Sequence, residues 1–175
     1  MATAADVSNY IDSRTHVWGD IQRQKLVYYA QAWSLAWDGV PLFSEHVEAW
    51  QLGPVVPDLW RQVSQPSREG LTAEQMATID AVLAFYGPMT GAQLSTRTHD
   101  EAPWRDAWGD RHPGDRCSEE ITPDAMRRFY TAEAIAGRAP ARRNVTIHDA
   151  DDEDVAERAH ANAHRWRRAL DLLSR

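Results

Sequence analysis

The chain has 175 residues, 43% of them hydrophobic and 26% charged, enough apolar material to bury a core and too much for a disordered chain. Its 26 acidic side chains outnumber 19 basic ones, giving a formal net charge of −7, and this argues against sequence-independent nucleic-acid binding, which depends on a cationic surface. One cysteine, Cys117, excludes an internal disulfide, and with no apolar run of about 18 residues and no basic-then-apolar leader over Met1 to Arg14, a cytoplasmic protein without a membrane role is expected.

Val7, Tyr10 and Ile11 have helical spacing and predict a short helix over residues 3–13. The stretch from Gln24 to Trp60 is the richest in signals and holds four of the eight tryptophans. Leu26, Tyr29, Ala30, Trp33 and Trp37 form one stripe of a 3.6-residue period, and Asp38-Gly39 followed by Pro41 stops that helix. Residues 45–51 alternate as a strand does, with His46, Glu48 and Trp50 on one face and Val47 and Ala49 on the other. Gly53-Pro54 is expected to turn the chain, and Pro57 suits the first position of a helix carrying Asp58, Leu59 and Trp60.

After a polar break at Ser64 to Gly70, Thr72 and Gln75 have capping-box spacing ahead of the stripe Met76, Ile79, Leu83 and Tyr86, which Gly87-Pro88 ends. Thr90 and Gln93 repeat the signature and predict a helix over about residues 91–97. Thr98 with Glu101 and Pro103 compete to start the next helix; the start at Pro103 is favoured, because a helix begun at Thr98 would need the N–H that proline lacks. That helix bears Trp104 and Trp108. A polar loop over residues 109–121 leads to Thr122-Pro123, which caps a helix with Met126, Phe129 and Tyr130 inward, ended by Gly137.

Pro140 to Asn144 reads as a linker. Beyond it, acidic residues from Asp149 to Glu157 crowd the start of a helix, and Arg165, Arg167 and Arg168 lie towards its end. Val155, Ala159, Ala163, Trp166, Leu170 and Leu173 make a thin apolar seam, either packed back on the body or completed by another chain. The fold class expected is mainly α, with a short β element near residues 45–51: one domain over residues 1–139, then a linker and an amphipathic C-terminal helix over 140–175.

Four blocks in order, QKLVYYAQAW, GVPLF, EAWQLGPVVPDLW and THDEAPW, resemble the Panacea domain, an antitoxin domain of bacteria and phages. The resemblance covers about residues 5–136. It implies a mainly helical fold with a small β element, and an antitoxin that neutralises a protein toxin encoded beside it by direct binding. The function expected from this reading is binding without catalysis and without a required cofactor, with a higher-order complex with the toxin left open. The segment from about Ala139 lies outside it and is a place where toxin specificity could reside.

The residues offered for partner contact are Lys25, Tyr28, Trp50, Gly53, Pro54, Val55, Val56, His99, Glu101, Trp104, Trp166 and Leu170. Two prolines stiffen GPVVP, so Val55 and Val56 either project for recognition at little entropic cost or close the core beneath Trp60. Lys25, the only lysine, is expected to pair with Glu45 or Glu48 or to reach an acidic partner.

Two rival functions have weaker signals. A DNA-binding regulator of its own operon needs a basic recognition helix, and TGAQLSTR offers only Arg97. An acid/base enzyme would use His99 and Glu101, a pair equally suited to bonding backbone around the turn before Pro103. His160 and His164 have metal-ligand spacing without a third ligand, HDADDED lacks the glycine and terminal glutamate of a calcium loop, and no Gly-rich phosphate loop occurs. No metal or cofactor is expected.

Overall fold

The helix predicted over Gln24 to Asp38 is the axle of the molecule. In a computed structural model, which describes residues 1–142, helix α2 spans Asp20–Asp38, and every residue from Gln24 to Leu35 is buried. The aromatic stripe is therefore one side of a helix covered on all sides. Its polar side chains are not solvated; they hold the chain that follows. Gln31 accepts from Leu42 N at 2.7 Å and donates to Phe43 O at 2.9 Å, Ser34 Oγ donates to Val40 O at 2.8 Å, and Gln24 accepts from Val56 N at 2.8 Å. These bonds satisfy backbone groups of residues 40–56 that would otherwise be buried unpaired. Gly39 ends the helix at φ 72°, in the left-handed conformation that the Asp38-Gly39 signal predicts.

Around α2 pack α1 (Ala4–Arg14), α4 (Ala73–Tyr86), α5 (Gly91–Asp100) and α7 (Pro123–Ile135), while α3 (Pro57–Trp60) and α6 (Ala102–Trp108) flank a hairpin. Among the described residues these seven helices and one two-stranded sheet make the mainly helical fold expected. The capping boxes at Thr72/Gln75 and Thr90/Gln93 form as their spacing predicts, and a third, Thr3/Asp6, opens α1. Thr122 caps α7, with Pro123 at its first position. Helix α5 runs on to Asp100, three residues past its expected end. The Thr98–Glu101 box does not form: Thr98 Oγ1 donates to Ser95 O at 2.8 Å, and α6 starts with Pro103 in its first turn.

The hairpin corrects one expectation. Strand β1 (Glu48–Trp50) pairs antiparallel with β2 (Gly53–Val55), with Glu48 opposite Val55 and Trp50 opposite Gly53. The turn is Gln51-Leu52, so Gly53-Pro54 belongs to a strand. Proline is tolerated there because the outer edge of β2 is met by side chains of α2 and α5, not by another strand. The loop after α6 comes back beside β1, where Ala49 N donates to Glu119 O at 2.9 Å and Ile121 N to Val47 O at 2.8 Å. The predicted alternation holds, with Val47 and Ala49 buried and His46 exposed. The C-terminal helix predicted within residues 140–175, with Trp166, Leu170, His160 and His164, lies outside the described residues.

Candidate partner-binding site

Two layers make up the region that the sequence motifs single out: a buried polar frame and an exposed aromatic ridge above it. Lys25 lies in the frame, beneath the hairpin. Its side chain is 1% exposed, and Nζ donates to Pro54 O at 3.0 Å. No carboxylate among the described residues pairs with it, so the expected bridge to Glu45 or Glu48 does not form. Glu45 instead caps α1, accepting from Ala4 N, and takes Ser64 Oγ at 2.6 Å; Glu48 accepts from Trp50 Nε1 at 2.8 Å. Burial without a counter-charge pushes the Lys25 pKa down to about 7.

Gly53 sits directly on that amine. Its φ is +100°, and a Cβ there would lie 2.6 Å from both Lys25 Cε and Thr98 Oγ1. Pro54, Val55 and Val56 are buried with it, so the valines close the core and do not project. Ser95 Oγ donates to Leu52 O at 2.8 Å and Trp104 Nε1 to Trp50 O at 2.9 Å, which docks the hairpin on α5 and α6. His99, half-buried, lies against Trp104 at a ring distance of 4.0 Å. Burial and the nearby Lys25 charge lower its pKa.

Glu101 forms the second part of the frame. It is 8% exposed and accepts from Tyr130 Oη at 2.6 Å and from Tyr29 Oη at 3.2 Å, while Arg97 Nε stands 3.5 Å away. Tyr130 also reaches Tyr28 Oη at 3.3 Å; Tyr29 stacks on Tyr86 at 3.9 Å, and Tyr86 Oη accepts from Trp33 Nε1. Burial raises the Glu101 pKa to about 7 against the opposing pull of Tyr130, Arg97 and Tyr29. The same burial drives the Tyr28, Tyr29 and Tyr130 hydroxyls up, and that of Tyr86 to about 12. Between them these groups tie α2, α4, α5 and α7 to one carboxylate. Neither His99 nor Glu101 hydrogen-bonds the other, and each faces a different set of neighbours.

The surface layer holds Trp50, which the sequence motifs offer for partner contact, and Leu52, Trp60 and Val63, which they do not. Trp50 and Trp60 meet edge to face at 5.9 Å. Trp60 is 46% exposed, Leu52 at the hairpin turn 53% and Val63 61%. The tryptophan pair separates two grooves. One, of about 580 Å³, includes Glu48, Trp50, Arg61, Asp115, Arg116 and Cys117 in its lining; the other, of about 560 Å³, lies between α1, α2 and α3 with Trp60 in its wall. Helical spacing could not separate Trp60 from a core tryptophan, since a four-residue helix is a single turn in which no position recurs.

Of the residues offered for partner contact, Trp50 is half-buried at this surface, His99 is half-buried against Trp104, and Lys25, Tyr28, Gly53, Pro54, Val55, Val56, Glu101 and Trp104 are buried. No helix among the described residues is long and apolar enough to cross a membrane. No curated protein and no solved structure matches the chain significantly. A family model does match: over residues 24–105, which hold Lys25, the hairpin, α5 and Glu101, the chain fits the family described as Antitoxin SocA-like, Panacea domain, and the likeness carried by its sequence motifs is to that family.

Proposed function

We propose that the protein is an antitoxin that neutralises a cognate protein toxin by direct, stoichiometric binding. The antitoxin family match over residues 24–105 carries this reading. The edge-to-face pair of half-buried Trp50 and exposed Trp60, with Leu52 and Val63 also exposed, supports it, because apolar surface on a rigid support is what a protein partner buries. The support is stiff: Gly53 leaves no room for slippage, and Trp104 and Ser95 hold the hairpin backbone from below. The buried residues among the motif positions then act by shaping this surface, in the way second-layer groups position a binding constellation.

No catalytic step belongs to this reading. Glu101 serves as the knot of the tyrosine cluster, and His99 as a packing partner of Trp104. The toxin is expected to be encoded next to this gene, with both proteins in the cytoplasm. The test is co-expression of the adjacent reading frame with and without this chain. Growth arrest by the neighbour alone, relieved when both are made and accompanied by a complex that co-purifies, is the expected result. Substituting His99 and Glu101 separates binder from enzyme: His99→Ala with Glu101→Gln should preserve rescue wherever the fold survives.

A further inference from the structure

We infer that the groove between α1, α2 and α3, with Trp60 as its wall, receives a cationic segment of the toxin through an arginine or lysine directed at Asp20. This rests on the antitoxin reading and specifies which part of the partner is gripped.

The groove is lined by Ser8, Asp12, Asp20, Arg23, Leu59 and Trp60, among others. Two carboxylates face one guanidinium, and that guanidinium is already engaged: Arg23 Nη1 donates to Asp12 and, at 3.3 Å, to Ser8 Oγ. Among the described residues Asp20 has only Arg23 Nε at 4.0 Å, and its side chain is 72% exposed. The start of α2 favours its charge without covering it. An open carboxylate therefore shares a groove with an open indole. A guanidinium or ammonium on a partner segment can meet the acid by charge-assisted hydrogen bonding, while the same segment lays methylene or cationic groups over the indole and Leu59. The other groove is charge-balanced, Glu48 and Asp115 against Arg61 and Arg116, and gives no such preference. Trp60, in the wall of the first groove, meets Trp50, which lines the second.

The experiment uses the full chain and an inactivated form of the toxin from the adjacent reading frame, titrated by calorimetry at low and moderate salt. Trp60→Ala and Asp20→Arg should each weaken binding about tenfold or more, as expected for a central aromatic anchor and for a reversed contact charge. Asp20→Asn should weaken it less and flatten its salt dependence, whereas Ile135→Ser, at an exposed apolar residue lining neither groove, should leave it unchanged. Thermal melts of each variant guard against misfolding. Wild-type affinity in Trp60→Ala and Asp20→Arg would sink the groove while leaving the antitoxin reading intact. If the wild type neither binds nor rescues, both fall together. Self-association of the wild type, abolished by Trp60→Ala, would replace the toxin segment with a second copy and overturn the assignment.

Discussion

Gly53 holds a backbone conformation open to few other residues, and its missing side chain leaves the space that Lys25 and Thr98 fill. Gly53→Ala combines left-handed strain with overpacking against the stem of a buried amine. The expected loss is about 3 kcal/mol, read as a shift of the urea midpoint at unchanged slope. Beside it, Lys25 and Glu101 titrate in opposite senses. The Glu101 pKa is raised from 4.5 to about 7, so between those values the native state holds the extra proton, and this contribution to stability falls as pH rises. The Lys25 pKa is lowered from 10.5 to about 7; between those values the unfolded chain holds the extra proton, and stability rises with pH. Together they place a minimum near neutrality. Glu101→Gln should remove the falling limb below it, and Lys25→Met the rising limb above it. Urea midpoints collected from about pH 5 to 9 decide this, below the range where the buried tyrosines ionise. An alkaline limb that survives Lys25→Met would show that the amine is solvated.

At the level of elements, the parts governed by near neighbours in sequence were legible. Thr72, Thr90 and Thr122 announce three helix starts, Gly39 one end and Pro57 another start, because caps and breakers act within four residues. The hairpin was legible only in its first strand. Val47 and Ala49 alternate visibly, but Gly53-Pro54 carries every mark of a turn, and only Lys25 and Ser95, distant in sequence, reveal that the bend comes two residues earlier. The polar face of α2 is hidden from the sequence for the same reason: the partners of Gln24, Gln31 and Ser34 are backbone groups of residues 40–56, brought there only by the fold. The hairpin's hold on the helices is testable through Trp104. Trp104→Phe keeps the ring packed but deletes the donor to Trp50 O, which should cost about 1–3 kcal/mol. Amide exchange across Glu48–Val55 should quicken more than in α4. Uniform acceleration across both would mean that the bond adds to global stability without specifically anchoring the hairpin.

For the whole molecule, the matched stretch and the folding unit are not the same length. Residues 24–105 include α2 from Gln24 onward, the hairpin, α3, α4, α5 and the start of α6, but neither α1 nor α7. Yet α7 supplies Tyr130, whose hydroxyl is the shortest donor to Glu101, and Met126, while α1 supplies Val7 and Ile11. Cutting the chain to residues 24–105 would expose two sides of α2 and strip Glu101 of its strongest hydrogen bond while leaving much of its burial. A buried acid losing its partner and several fully buried apolar side chains losing their cover each cost a few kcal/mol, together comparable to the whole stability of a small domain. The fragment 24–105 should therefore lack a cooperative melt, whereas 1–143, which keeps every core residue named above, should unfold in a single transition. Circular dichroism melts of the two decide it. A sharp transition in the shorter fragment would show that α1 and α7 decorate the matched stretch and do not complete its core.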